Sequence, residues 1–193
     1  MNIDKRKCKF YYDKLVQQKC LSNKCVNKWT QIFGTNILFS TLYENKLKSN
    51  FEIRITDFNY KLLNGILATG KNLFKWGKRN SSRCIYCHAD IHDEKHLIYD
   101  CSSVKSMWMK TSIALTLNID YFVIITGSTA SSVQNQIISL LCHLIFRKFI
   151  KDTKIAKTLN ITQYIKNELS FFGSIYKNTT TASKEMIETF NEL

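Results

Sequence analysis

Along most of this chain the apolar residues recur every three or four positions, the spacing of a helix that buries one face. The first stretch opens basic, with Lys5, Arg6, Lys7 and Lys9, and then carries Phe10, Tyr11, Leu15 and Val16 on related turns. Trp29, Ile32 and Phe33 continue the rhythm until Gly34-Thr35-Asn36, which reads as a stop. Leu38 to Leu47 fits a further short helix that ends near Lys48-Ser49-Asn50. Ile55, Phe58, Leu62, Leu63, Ile66 and Leu67 predict an amphipathic helix over 53–68. Gly65 inside it costs about 1 kcal/mol against alanine. Thr69-Gly70 ends it, and a short helical turn then presents Leu73 and Trp76, with Trp76 expected in the core.

Further on, Val104, Met107, Trp108 and Leu115 form a helical stripe that reaches about residue 117. Tyr121 to Thr126 is a short β-branched run, and Gly127 to Ser132 is a loop of small residues. A long helix should follow, with Ile137, Leu141, Leu144, Ile145 and Phe149 on its buried face. Cys142-His143 lies in that face, where a satisfied core pair is expected rather than catalysis. A final helix carries Ile161, Tyr164, Ile165, Leu169, Phe172, Ile175 and Tyr176, before a linker at Asn178 to Ser183 and a frayed helix at Lys184 to Leu193. No internal repeat is visible.

One stretch breaks the helical pattern and carries candidate chemistry: Cys84-Ile-Tyr-Cys87, then His96, then Cys101. Three thiolates and one imidazole suit a closed tetrahedral Zn²⁺ site, because soft sulfur and borderline nitrogen match zinc and leave no open position. His92 competes with His96 for the fourth place, since the gap from Cys87 to His92 is that of a nucleic-acid knuckle. His96 is favoured because the four residues before Cys101 close a compact loop, with Leu97 and Ile98 as apolar anchors. His92 and His96 also stand at i and i+4, as in metalloprotease helices. There the residue after the first histidine should be glutamate, and Asp93 stands here. Asp93-Glu94-Lys95 has the acid-x-lysine spacing of some metal-dependent nucleases, but within a loop rather than on a strand. Cys20 and Cys25 have no histidine near them and read as packed thiols.

Composition narrows the class. At 193 residues with 45% apolar content, the chain can bury a core. The longest apolar-rich run, Ile137 to Ile150, is broken by Ser139, His143, Arg147 and Lys148 and falls short of the roughly 18 to 20 residues of a membrane span. No N-terminal apolar signal region is present, so an intracellular protein of nucleus or cytoplasm is expected, with no membrane partner. Seven cysteines without a secretory signal argue for metal and free thiols. The net charge of +13, from 28 basic and 15 acidic residues, favours a polyanionic partner.

Between Asp57 and Asp90 there is no acidic residue, whereas Lys61, Lys71, Lys75, Lys78, Arg79 and Arg83 are basic, with Phe74, Trp76 and Tyr86 interleaved. Cations neutralise phosphates and aromatic faces stack on unpaired bases, a combination that favours RNA with exposed bases. Lys71, Lys75, Lys78, Arg79 and Arg83 form one candidate phosphate-contacting patch, and Arg147, Lys148, Lys151 and Lys154 near the end of the long helix form a second. The cysteine–histidine loop itself holds Asp90, Asp93, Glu94 and Asp100 against one lysine. A zinc ion with three thiolates adds a net −1, so the metal is expected to fix the fold rather than touch phosphate.

Asp57-Phe58-Asn59-Tyr60-Lys61-Leu62-Leu63-Asn64-Gly65-Ile66-Leu67, then Thr69, Leu73, Lys75-Trp76, Cys84, Cys87, His96-Leu97, Cys101 and Trp108 run in one order. This order resembles the zinc-binding region that follows the reverse transcriptase in LINE-type (non-LTR) retrotransposon polyproteins, over about residues 25–180. The resemblance implies that Cys84, Cys87, His96 and Cys101 hold one structural zinc. It also implies an accessory part in target-primed reverse transcription, aiding contact with template RNA or target DNA beside a reverse transcriptase or endonuclease. Ser102 stands where the family commonly has proline, and the family's frequent arginine or histidine near Asn64-Gly65 is missing. The chain has no tyrosine-x-aspartate-aspartate motif and no carboxylate set for two Mg²⁺ ions.

The expected fold is therefore mostly α, with short helices packed around a Cys-Cys-His-Cys zinc knuckle and little or no sheet. Its parts are an N-terminal helical segment (1–50), a zinc-binding core (51–117), a C-terminal helical part (118–177) and a tail (178–193). The expected function is a non-catalytic, zinc-stabilised RNA-binding module. The alternative is a protein-interaction domain that positions a polymerase or nuclease.

Overall fold

A computed structural model describes residues 22–48, 52–155 and 160–176. The expected turns at Phe10 to Val16, together with Cys20 and the tail over 178–193, lie outside the described residues. The chain falls into two compact units, Met1–Ser40 and Thr41–Leu193. Among the described residues there are helices and no strand.

In the first unit, α1 (Ser22–Phe33) stacks Trp29 on Phe33, one turn on, with ring centroids 5.8 Å apart. Gly34 adopts a left-handed φ of 66° and its N–H donates to the Thr30 carbonyl at 2.8 Å, which is the stop the sequence signalled. Cys25 is buried, and burial raises its thiol pKa.

The second unit carries the rest of the fold. A short α2 (Phe39–Leu42), whose first two residues still belong to the first unit, runs into a π-helical turn, Tyr43–Lys48. Next come α3 (Ile53–Leu63), α4 (Gly70–Lys75) and a second π-helical turn, His96–Asp100. α5 (Ser102–Ala114), α6 (Tyr121–Thr126), α7 (Ser132–Ile155) and α8 (Ile161–Tyr176) complete it. The central element is α7, which packs against α3, α6, α8 and both π-helical turns. Ile137, Ile138, Leu140, Leu141, Leu144, Ile145 and Phe149 are all buried, so this helix is apolar on most of its circumference, as a helix surrounded by others must be.

The helix expected over 53–68 divides in two. Gly65 has φ 69°, its N–H reaches the Leu62 carbonyl at 3.1 Å, and the Ile66 N–H reaches the Lys61 carbonyl at 3.0 Å. That double bond with a left-handed glycine ends a helix and satisfies its last carbonyls, so Gly65 terminates α3 rather than sitting inside it. Thr69 does not end a helix but starts one, its Oγ1 accepting the Asn72 N–H at 3.3 Å. The β-branched run Tyr121–Thr126 is helical. Asp120 caps it by accepting the Val123 N–H at 2.8 Å, and left-handed Gly127 closes it. Local capping and burial of Tyr121, Val123, Ile124 and Ile125 outweigh the strand preference of those side chains.

Polar groups buried among these helices are tied together. Asn59 of α3 donates to the Lys46 carbonyl at 2.8 Å and to Ser139 Oγ of α7 at 3.1 Å. Lys46 Nζ donates to Asn135 Oδ1 at 3.2 Å, and burial lowers the Lys46 pKa to about 8. Asn135 in turn donates to the Gly127 carbonyl at 3.0 Å. Of the Cys142-His143 pair, Cys142 is buried as expected, its thiol pushed up to about 12 by burial. His143 differs from expectation, because its Nδ1 is buried without a hydrogen-bond partner. Burial, then the charges of Arg147 and Arg54, push its pKa down to about 4.

Candidate metal centre

The chain brings Cys84, Cys87, His96 and Cys101 to one place, their ligand atoms all within 4.8 Å of one another. Two local devices do this. The first is a tight turn at Cys84–His88, in which the Cys84 N–H donates to the Ala89 carbonyl at 2.9 Å and the His88 N–H to the Cys84 carbonyl at 3.1 Å. His88 turns the backbone with a left-handed φ of 61°. The Tyr86 N–H points at Cys84 Sγ, 3.4 Å away, which favours the thiolate.

The second device is the π-helical turn His96–Asp100. In an α-helix, residues five apart point in different directions. Here the Cys101 N–H donates to the His96 carbonyl at 3.0 Å, an i to i+5 bond that brings residue 101 back over residue 96. Asp93 Oδ1 accepts the His96 N–H at 2.9 Å and so caps the start of that turn. The spacing of four residues between histidine and cysteine is thus closed by backbone geometry.

Cys84 Sγ and Cys101 Sγ lie 3.8 Å apart, and Cys87 Sγ lies 3.1 Å from His96 Nε2. Zn–S bonds of about 2.3 Å in a tetrahedron give S···S edges of roughly 3.8 Å, so the donor set fits one ion. The hydrogen bond between the two buried sulfurs lowers the Cys84 thiol pKa and raises that of Cys101.

His92, the rival ligand, is fully buried beside the cluster, its ring 5.5 Å from that of His96 and 4.4 Å from that of Phe149. Its Nδ1 accepts the Gly70 N–H at 2.9 Å, its carbonyl accepts the Lys71 N–H at 3.0 Å, and its own N–H donates to the Ser82 carbonyl at 3.1 Å. With Nδ1 an acceptor, Nε2 carries the proton and has no lone pair for a metal. His92 therefore anchors the start of α4 beside the cluster. The protease-like and nuclease-like arrangements are not assembled. Asp93 caps the π-helical turn, Glu94 accepts from Asn72 Nδ2 at 3.2 Å, and Lys95 pairs with Asp100 at 3.3 Å.

A connection the sequence did not signal joins the cluster to α7. Tyr86, between the first two cysteines, donates its hydroxyl to Asp152 Oδ2 at 2.9 Å, and Asp152 is held by Lys148. Lys148 is 0% exposed. It was expected in the second phosphate-contacting patch, and burial against Asp152 corrects that, since a buried, paired ammonium cannot meet a polyanion in solvent. In the same patch Arg147 pairs with Glu168 at 3.6 Å, Lys151 sits 5.7 Å over the Tyr164 ring, and Lys154 is exposed.

The first patch is more open. Lys71, Lys75 and Lys78 are exposed, and none makes an ion pair among the described residues. Arg83 pairs with Asp90 at 3.2 Å, while Arg79 is half-buried, with Nη2 reaching the Arg83 carbonyl at 3.4 Å. Trp76, expected in the core, is 47% exposed, and Phe74 is 52% exposed. The cause is the short α4, which turns Gly70, Asn72 and Leu73 inward and ends before Trp76 can follow them.

Fold and site together define a helical domain stapled by a Cys₃His metal centre. Residues 24–108 match the family model described as zinc-binding in reverse transcriptase, a span that contains all four cluster residues. That stretch is similar to the zinc-binding region of a retrotransposon reverse-transcriptase polyprotein, and the match and the geometry together support one structural Zn²⁺. No curated protein and no solved structure matches the chain. Among the described residues, no helix is long and apolar enough to cross a membrane.

Proposed function

We propose that this protein is a non-catalytic RNA-binding module whose helices are held by one Zn²⁺ on Cys84, Cys87, His96 and Cys101. In this reading it serves beside a reverse transcriptase. When bound, the ion supplies a fixed tetrahedral cross-link, with every position taken by protein. Lys71, Lys75 and Lys78 supply the phosphate contacts, with Arg79, Arg83, Arg147, Lys151 and Lys154 adding positive field at longer range. The observation that carries the reading is the set of three exposed, unpaired lysines on and just after α4, within a chain of net charge +13. DNA is the alternative polyanion, since phosphate contacts do not distinguish the two.

The test is equilibrium binding of the zinc-loaded chain to RNA across a range of salt. Affinity should fall steeply with salt, and Lys71→Glu/Lys75→Glu/Lys78→Glu should abolish retention near physiological salt. An affinity that stays flat with salt, or survives the triple charge reversal, overturns the reading. A scaffolding role is the second reading. It draws on Met109 and Ile113, one turn apart on α5 and 69% and 77% exposed, an apolar stripe of the kind that partner proteins cover.

A further inference from the structure

An exposed tryptophan beside an exposed phenylalanine is costly in water, because large aromatic surfaces carry the greatest drive toward burial. Phe74 and Trp76 are both about half exposed, and their setting is rigid. The inner side of α4 is fixed at four points. The Gly70 and Lys71 N–H groups donate to His92, and Asn72 Nδ2 reaches the Gly65 and Leu67 carbonyls at 3.2 and 2.7 Å. The outer end is fixed by a left-handed Gly77. Its N–H donates to the Phe74 carbonyl at 3.0 Å, and the Lys78 N–H donates to the Leu73 carbonyl at 2.8 Å. Lys71, Phe74 and Lys75 follow the i, i+3, i+4 spacing of one face of α4, Trp76 stands at the helix end, and Lys78 follows the left-handed Gly77. Tyr86, the third aromatic of this basic stretch, is excluded, because its hydroxyl is committed to Asp152.

We infer that Phe74 and Trp76 are a base-stacking platform, and that the ligand of this face is single-stranded RNA rather than duplex. This rests on the RNA-binding reading above and adds a division of labour. The lysines give salt-dependent affinity for any phosphate chain, whereas the two aromatic faces select strands whose bases are free to stack. A duplex keeps its base faces internal and can meet only the lysines. A protein partner would need acidic groups to match three ammonium groups as well as an apolar surface for the rings.

The experiment compares a labelled single-stranded RNA with its own duplex, using the full zinc-loaded chain. Phe74→Ala/Trp76→Ala should weaken single-strand binding by about ten- to a hundred-fold and leave duplex binding and the salt slope unchanged. Trp76→Phe keeps a stacking ring and should recover most of the affinity. It should also remove a fluorescence quench that single-stranded RNA produces in the unsubstituted chain, a readout that needs no stability match between variants. Equal losses for single strand and duplex, or no quench, overturn the platform while leaving the phosphate-binding reading intact. Absence of binding to either RNA overturns both.

Discussion

Lysines of one formal charge do three different things in this molecule. Lys75 stands in solvent without a partner, Lys61 pairs at the surface with Asp57 at 2.6 Å, and Lys148 is sealed in the core against Asp152. The last arrangement is sensitive to loss of either partner, because a carboxylate left alone in the interior has neither water nor counter-charge. Lys148→Ala should therefore destabilise the protein by about 3–5 kcal/mol in urea denaturation and leave the salt slope of RNA binding unchanged. Lys75→Ala should do the reverse, lowering the slope by about one with a stability change within about 0.5 kcal/mol. If Lys148→Ala left stability unchanged and lowered the slope, Lys148 would belong to the surface after all. Sequence could not separate these lysines, since each lies in a basic run and the difference is where the helix face points.

At the scale of elements, the informative positions are the ends. Gly127 closes α6 with φ 66°, and an added Cβ would collide with the Asn135 amide that bonds its carbonyl. Gly127→Ala should cost clearly more than the ~1 kcal/mol of a left-handed alanine, because it also disturbs the Asn135–Lys46 link to the first π-helical turn. Thermal denaturation checks this, and a loss within ~1 kcal/mol would mean that the link relaxes freely. Gly77, with nothing within 4 Å of an added Cβ, should show only the backbone cost on the same substitution. The helix-forming stretches themselves were legible in the sequence, and α1, α5, α7 and α8 occupy the regions their apolar periodicity marks out. The ends were less so. Gly65 and Thr69 can each sit in or beside a helix, and capping contacts decide which. The run at Tyr121–Thr126 reads as β-branched until Asp120 and Gly127 are seen to cap it.

For the whole molecule, the metal centre and α7 act as one support. The cluster reaches α7 through the Tyr86–Asp152–Lys148 chain and through Phe149 tilted against the His92 ring, so the cross-link is felt by the helix on which α3, α6 and α8 pack. Apparent zinc-binding free energies in small sites are of the order of 10 kcal/mol, comparable with the entire stability of a domain. Chelation, or Cys84→Ser, should therefore abolish cooperative unfolding and much of the helical circular dichroism of the Thr41–Leu193 unit, and one equivalent of Zn²⁺ should restore them after chelation. Helicity that persists in fully demetallated protein would show that the apolar core suffices without the ion.

Sequence alone determined the helical class and the four clustered residues. Both are local properties, one set by the period of apolar side chains and the other by the chemistry and spacing of sulfur and nitrogen donors. It also favoured His96 over His92. The physical reason, a π-helical turn that brings Cys101 over His96 while the Gly70 N–H occupies His92 Nδ1, exists only once distant segments meet. Tertiary structure likewise decided which cations and aromatics face water: Lys148 went in and Trp76 came out. Burial depends on what packs across from a residue, and a linear pattern carries the periodicity of a face but not the identity of its neighbour.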